Sequence, residues 1–317
     1  MALRADDLID RRRLRRKLTF WRVSALVVAA AGLVALSTWI YGDDFTGTAV
    51  DHIAKVKIEG TITEDDELIK RLEAIRQSSR VKAVILSIDS PGGTTVGGES
   101  IYEEVRKLAA DKPVVAEVGT LAASAGYMIA TAADHIVARK SSIVGSIGVL
   151  IQYPDVSGLM DKLGIKLEEV KSSPLKAAPS PFKPANDTER AMVRKLILDS
   201  YDWFVGIVAE RRNMTKPEAL ALADGSIFTG RQAVANKLID AVGGETEAIG
   251  WLATKGVDAK LKVVEWKDAE SGGFLFSKAM ARTIGGALGL PDYGGDIIHE
   301  LGADRLFLDG LVSVWHP

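Results

Sequence analysis

From residue 52 onward, short apolar runs alternate with segments whose apolar residues recur every three to four positions. This alternation predicts βα units arranged around a largely parallel sheet. The first run, HIAKVKI over residues 52–58, reads as a strand that closes at Glu59 and Gly60. A helix follows over 65–77, with Leu68, Leu72 and Ile75 on one stripe. VKAVILSI at 81–88 is apolar enough for a strand buried on both faces, and DSPGG at 89–93 predicts a sharp turn into a helix over 96–110. Residues 113–118 form the next buried strand. A small-residue loop over 119–123 then opens onto a helix at 124–132, with His135 at the start of another strand.

Further along, four prolines between residues 171 and 184 (KSSPLKAAPSPFKP) exclude a regular helix or a central strand and predict an extended, exposed loop. A long helix over 187–213 follows, with Asp187 or Thr188 as its cap. Residues 224–244 read as a turn, a short helix from Gly230 and a second turn, and 261–266 as a late strand. The segment after Ser271 is mildly apolar and rich in glycine, and its pattern assigns it no role.

The amino-terminal region follows a different pattern. VSALVVAAAGLVALSTWI, residues 23–40, carries no charge, and at 1.5 Å per residue it would span roughly 27 Å, close to the thickness of a bilayer core. Arg4, Arg11, Arg12, Arg13, Arg15, Arg16 and Lys17 precede it, and Asp43 and Asp44 follow. The positive-inside rule therefore orients a single-pass anchor with its N-terminus in the cytoplasm. A cleavable signal peptide is the rival reading, but the run is long for one and ends in Trp-Ile-Tyr rather than an A-x-A-like site. The expected organisation is a basic cytoplasmic segment (1–22), an anchor (23–41), a linker (42–51), an α/β domain (52–266) and a carboxyl tail (267–317).

Composition narrows the chemistry. Of 317 residues, 47% are hydrophobic and 26% charged, enough apolar content for a substantial core. A formal net charge of −2 gives no field to attract nucleic acid, so no such partner is expected. The absence of cysteine excludes thiolate catalysis and Cys-ligated zinc. The four histidines have no ligand-like spacing, so no metal site and no cofactor are expected.

Acyl transfer needs a nucleophile, a base and donors for the oxyanion. Ser124, in LAASAGYMIA, stands at a loop-to-helix junction where small neighbours admit a substrate and the helix amino end favours negative charge. Gly92 and Gly93 form a second strand-to-helix turn able to present bare backbone N–H groups. In a parallel sheet both turns lie at the carboxyl ends of their strands, the edge where ligands bind. Each feature also has an ordinary explanation, since a serine opening a helix is commonly a cap and Gly-Gly after a strand is commonly just a turn.

Five segments together resemble a known family in order and spacing. They are DSPGG (89–93), ASAGYMIATAADHIVA (123–138), GSIGV (145–149), SSPLKAAPSPF (172–182) and DGSIFTGRQAVANKLIDAVGG (224–244). The chain resembles the short, single-domain bacterial form of signal peptide peptidase A, or protease IV, in the fold group of the Clp protease subunit and the crotonases. The resemblance implies an α/β ClpP/crotonase-like spiral of ββα units, preceded by one transmembrane helix. It implies a membrane-anchored serine peptidase with Ser124 as nucleophile and Lys176 as general base. Gly92 or Gly93, with the N–H of Ala125, would donate to the oxyanion. Ser146, Ile147 and Gly148 would line the substrate groove, although GSIGV could equally be a buried strand. Residual signal peptides and other small hydrophobic peptides would be the substrates, cleaved on the extracytoplasmic, periplasmic face of the bacterial inner membrane. Serine and lysine would come from neighbouring chains of a homo-oligomer.

A lysine base is demanding, because an ordinary lysine, with a pKa near 10.4, holds almost no neutral amine at pH 7. A loop lysine such as Lys176 would need to be covered, and a neighbouring subunit would supply the cover. Lys171 and Lys183 are nearby but do not match the family position. His135 is the alternative base, only eleven residues past Ser124. Two other functions compete with the peptidase: an acyl-CoA enzyme of crotonase type, for which Asp89 and Glu117 are the nearby carboxylates, and a non-catalytic membrane scaffold.

Overall fold

The computed structural model describes residues 17–18, 20–33, 50–267 and 312–314. Helix α1 (residues 20–33) leaves Phe20, Trp21, Leu26, Val28 and Leu33 exposed. Residues 34–41 of the expected anchor lie outside the described residues. Among those described, no helix is long and apolar enough to cross a membrane.

The body is a mixed α/β fold on a largely parallel sheet. In chain order it comprises β1 (His52–Ile62), α2 (Asp66–Gln77), β2 (Val81–Thr94), α3 (Thr95–Asp111), β3 (Val114–Ala123), α4 (Ala125–Ala132), β4 (His135–Ala138) and β5 (Ile143–Gly145). There follow α5 (Ser157–Leu163), α6 (Asp187–Arg211), α7 (Lys216–Ala221), β6 (Ile227–Thr229), α8 (Gly230–Ala235), β7 (Ala241–Val242), α9 (Glu245–Thr254), β8 (Val263–Glu265) and β9 (Val312–Val314). The main strand order is β6-β5-β3-β2-β1-β8, with β4 joining β3 to β7 and β9 docked on β2. Only the β5–β6 and β2–β9 pairs are antiparallel among the described strands.

The period-2 geometry of a strand sends alternate side chains to opposite faces, and both faces are covered. Val84, Leu86 and Ile88 of β2 join Ala54, Val56 and Ile58 of β1 in one core with α2, α3, α4 and α6. Ala83, Ile85, Ile53 and Val115 pack on the other face against Ala248 and Leu252 of α9. This two-sided burial explains the near-continuous apolar runs.

Helix α4 is buried along its whole length. Its Tyr127 is fully enclosed, and burial pushes the hydroxyl well above the ordinary phenol range. The Tyr127 hydroxyl donates to the Leu238 carbonyl at 2.7 Å, tying α4 to the turn after α8. Tyr127→Phe would leave that carbonyl without its partner. We expect it to lower unfolding free energy by about 1–2 kcal/mol in urea denaturation, with little change in m-value.

Several boundaries differ from expectation. β2 does not turn at Asp89 but continues to Thr94, because β1 stays paired with it: Thr61 lies opposite Gly92 and Ile62 opposite Gly93 after a bulge. Likewise residues 119–123 are not loop but the end of β3, where Leu121 and Ala122 pair with Ile143 and Val144 of β5. The cap of α6 is Asn186 rather than Asp187 or Thr188. Its side chain accepts from the Glu189 N–H at 2.9 Å while Glu189 accepts from the Asn186 N–H at 3.1 Å, a reciprocal pairing that needs glutamate three residues past the cap. The proline-rich segment is exposed as expected, but it is folded into tight turns over 174–177 instead of extended.

Candidate active site

Ser124 occupies the junction between β3 and α4. The chain must reverse there from an extended strand into a buried helix, and it does so with Ser124 at φ 56°, ψ −120°. A non-glycine residue in this region costs on the order of 1–3 kcal/mol and persists only where the surroundings impose it. Here they do: the Ser124 N–H donates to the Gly145 carbonyl at 2.8 Å, and its carbonyl accepts from the Met128 N–H at 2.9 Å. The side chain makes no capping hydrogen bond to the helix. Ser124 therefore sits at the cap position without working as a cap, and the common explanation for a serine at a helix start fails.

Small residues bring the second element alongside. A Cβ on Gly126 would lie 2.9 Å from the Ser90 carbonyl oxygen, and one on Gly98 would lie 3.0 Å from the Ala125 Cβ. Only glycine lets α4 approach the end of β2 and the first turn of α3 this closely. The buried Ser90 hydroxyl braces the segment, donating to the Gly60 carbonyl at 2.6 Å and accepting from the Gly92 N–H at 3.1 Å. Gly92 itself has φ 106°, which favours glycine, and Gly93 packs directly on the Ile62 backbone. Ala125 is the first residue of α4, so its N–H belongs to the helix turn that lacks intrahelical acceptors.

A cavity of about 510 Å³ opens beside Ser124. Its walls include Ser146, Ile147 and Gly148, the three residues expected from GSIGV. Ser146 is a further positive-φ residue (51°), and its N–H donates to the Ser226 carbonyl at 2.8 Å. Within GSIGV only Gly145 belongs to a strand, as the end of β5, and residues 146–149 line the cavity.

Ile197, Leu198 and Tyr201 of α6, with Ala223, Asp224 and Gly225 before β6, complete the wall, and the sequence pattern had not marked the α6 residues. The signal that could have found them is an apolar stretch on a helix otherwise polar and exposed in its first half. Tyr201 is held by donating to the Ala223 carbonyl at 2.6 Å.

Lys176 lies in the exposed turn, next to Ala177 at φ 57°, and is not among the residues lining the Ser124 cavity. The two competing lysines are both engaged by Glu169, Lys171 at 2.8 Å and Lys183 at 3.0 Å.

His135 starts β4 opposite Val115, at the beginning of β3, whereas Ser124 follows the end of β3. It is therefore at the opposite edge of the sheet. There it stacks on Trp251 with ring centroids 4.9 Å apart, and burial lowers its pKa even though Asp240 opposes the shift. Glu117, one of the two carboxylates an acyl-CoA reaction would need, is bound to Lys55 at 3.0 Å. Lys55 also holds Glu245 at 2.8 Å; burial depresses its pKa, but the hydrogen bonds it donates to Glu245 and Glu117 outweigh this and leave it raised.

Sheet, strained serine and flanking glycine turn fit a serine peptidase of the α/β class, and similarity to known proteins places the chain in that class. The chain belongs to peptidase family S49. That family's profile matches residues 106–260, and the Clp protease profile matches residues 49–154. A provisionally named protease of Methanocaldococcus jannaschii is 37% identical over 232 residues, covering 73% of this chain and 75% of that protein. A provisionally named signal peptide peptidase SppA of Enterococcus faecium is 32% identical over 240 residues, covering 71% and 70%. Protease 4 of Haemophilus influenzae is 34% identical over 209 residues, 63% of this chain but 34% of that longer protein.

Proposed function

We propose that the protein is a membrane-anchored endopeptidase that cleaves short hydrophobic peptides, residual signal peptides among them, through an acyl-enzyme on Ser124 with Lys176 as general base. The observation that carries this reading is the strained, non-capping Ser124 at the wall of a cavity. Ser124 Oγ attacks the scissile carbonyl. Lys176 takes the proton and passes it to the leaving amine, and water then releases the acyl group. Because the Gly92 N–H is already donated to Ser90, the oxyanion donors in this reading are Gly93 and Ala125. Gly92 shapes the turn.

The exposed position of Lys176 is compatible with this chemistry only in an assembly. Leu159, Leu163, Ile165, Leu167 and Val170 are exposed ahead of the Lys176 turn, and Leu196 and Leu198 on α6. These apolar side chains favour a homo-oligomer in which a neighbouring chain's lysine completes each site. The exposed apolar side chains of α1 and the arginines before it support an N-terminal anchor with the peptidase domain, residues 52–266, on the extracytoplasmic side of a bacterial inner membrane. In this reading the tail from 267 is a separate segment.

A serine-directed fluorophosphonate tests the nucleophile directly. Incubated with the detergent-solubilised full chain and mapped by mass spectrometry, it should leave a single adduct, on Ser124. Labelling confined to another serine would overturn the assignment.

A further inference from the structure

Two glycines in succession are the most mobile pair a chain can carry, and a donor within such a pair serves an oxyanion only if something fixes it. At Gly92 and Gly93 the strands β1 and β2 fall out of step. Glu59 is opposite Asp89 and Thr61 opposite Gly92, so Ser90 and Pro91 share Gly60 as their counterpart. Pro91 has no N–H to offer. The Gly60 carbonyl is met instead by the hydroxyl of Ser90 at 2.6 Å, and the same oxygen accepts the buried Gly92 N–H at 3.1 Å. One residue further, Gly93 lies so close to β1 that a Cβ would be 1.8 Å from the Ile62 carbonyl oxygen. The Gly92–Gly93 peptide is thus held at both ends.

Ser90 also meets the turn that carries the other donor. A Cβ on Gly126, the residue after Ala125, would lie 2.9 Å from the Ser90 carbonyl oxygen and 3.2 Å from the Ser90 Cβ. Ser90 therefore reaches the neighbour of each oxyanion donor: Gly92, beside Gly93, through a hydrogen bond, and Gly126, beside Ala125, through packing. We infer that Ser90 is a positioning residue for acyl transfer at Ser124, setting the spacing between the Gly93 and Ala125 N–H groups. The inference rests on the peptidase reading. Its signature is a loss in kcat, because the oxyanion exists only once Ser124 has attacked, whereas the bound peptide makes no such demand.

Ser142 supplies the comparison. It too is buried, and its hydroxyl donates to the Gly119 carbonyl at 2.5 Å and accepts from the Arg139 N–H at 3.0 Å, the same arrangement placed just ahead of β5. Loss of either hydroxyl strands one buried carbonyl and one N–H. Only that of Ser90 adjoins the oxyanion donors.

Turnover of a fluorogenic hydrophobic peptide by the detergent-solubilised full chain is the test. Ser90→Ala should lower kcat and kcat/KM together by about 10- to 100-fold, with KM within about twofold of wild type. A peptidyl boronic acid of the same sequence, whose tetrahedral adduct puts an oxygen where the oxyanion forms, should bind more weakly by the same factor. Affinity for the uncleaved peptide, followed by fluorescence anisotropy on Ser124→Ala, should not change when Ser90→Ala is added. Ser142→Ala should lose stability as Ser90→Ala does and keep wild-type kcat. Unchanged kcat in Ser90→Ala, a loss that falls in KM, or an equal loss in Ser142→Ala overturns the inference. If Ser90→Ala does not fold, Ser90→Cys is measured in its place, since a thiol is a weak donor and acceptor, and wild-type kcat there would overturn the inference equally. Turnover that survives Ser124→Ala would refute the peptidase reading and this inference with it. Ser124-dependent turnover indifferent to Ser90 would refute the inference alone.

Discussion

Replacing Ser124 by alanine should reduce peptide and ester turnover by on the order of 10⁴-fold or more while leaving the fold intact, because the nucleophile has no substitute once its oxygen is gone. The backbone at this position adds a second expectation. At φ 56° any side chain is strained, and glycine is not. Ser124→Gly should therefore be as inactive as Ser124→Ala, yet more stable than the wild type by about 1 kcal/mol after the extra entropy of an unfolded glycine is deducted. Urea denaturation of the three proteins, alongside turnover of a fluorogenic peptide, measures both. A Ser124→Gly chain that retained activity would end the nucleophile assignment. One that was less stable than wild type would show that the strain is relieved by contacts of the serine side chain.

The second large effect is at Lys176. Lys176→Ala should lower kcat/KM by about 10² to 10⁴-fold, the usual contribution of a positioned general base, with the fluorophosphonate adduct on Ser124 forming correspondingly more slowly. Lys171→Ala and Lys183→Ala should not share this loss, because both amines are committed to Glu169. Assembly can be examined with the same variants. Co-assembled Ser124→Ala and Lys176→Ala chains should recover turnover well above either alone if each site draws on two chains. Failure to recover would confine the dyad to one chain.

How much of the site was legible beforehand follows from the range of the interactions involved. The alternation of apolar runs placed β1, β2 and β3 correctly at their beginnings, because a strand buried on both faces has a local signature. The ends of β2 and β3 were misplaced for the opposite reason. Residues 89–94 and 119–123 contain the glycine, proline and small residues of turns, and they remain extended only because β1 and β5 continue alongside. The α6 wall of the cavity is not legible on the same grounds, since Ile197, Leu198 and Tyr201 share a cavity with Ser124 only across the fold.

By itself, then, the sequence determined the α/β class, the cysteine-free chemistry and the candidacy of Ser124, whose small-residue neighbourhood is a local feature readable in a short window. Tertiary structure alone decided that Ser124 is strained and not a cap, that Ser90 engages Gly92, and that His135 faces away from the site. It also decided that residues 312–314, featureless as sequence, pair with Gly92–Thr94. Apart from the short-range Ser90–Gly92 contact, each of these depends on residues far apart in the chain, and strand pairing uses backbone groups that every sequence carries, so no pattern of side chains could announce it.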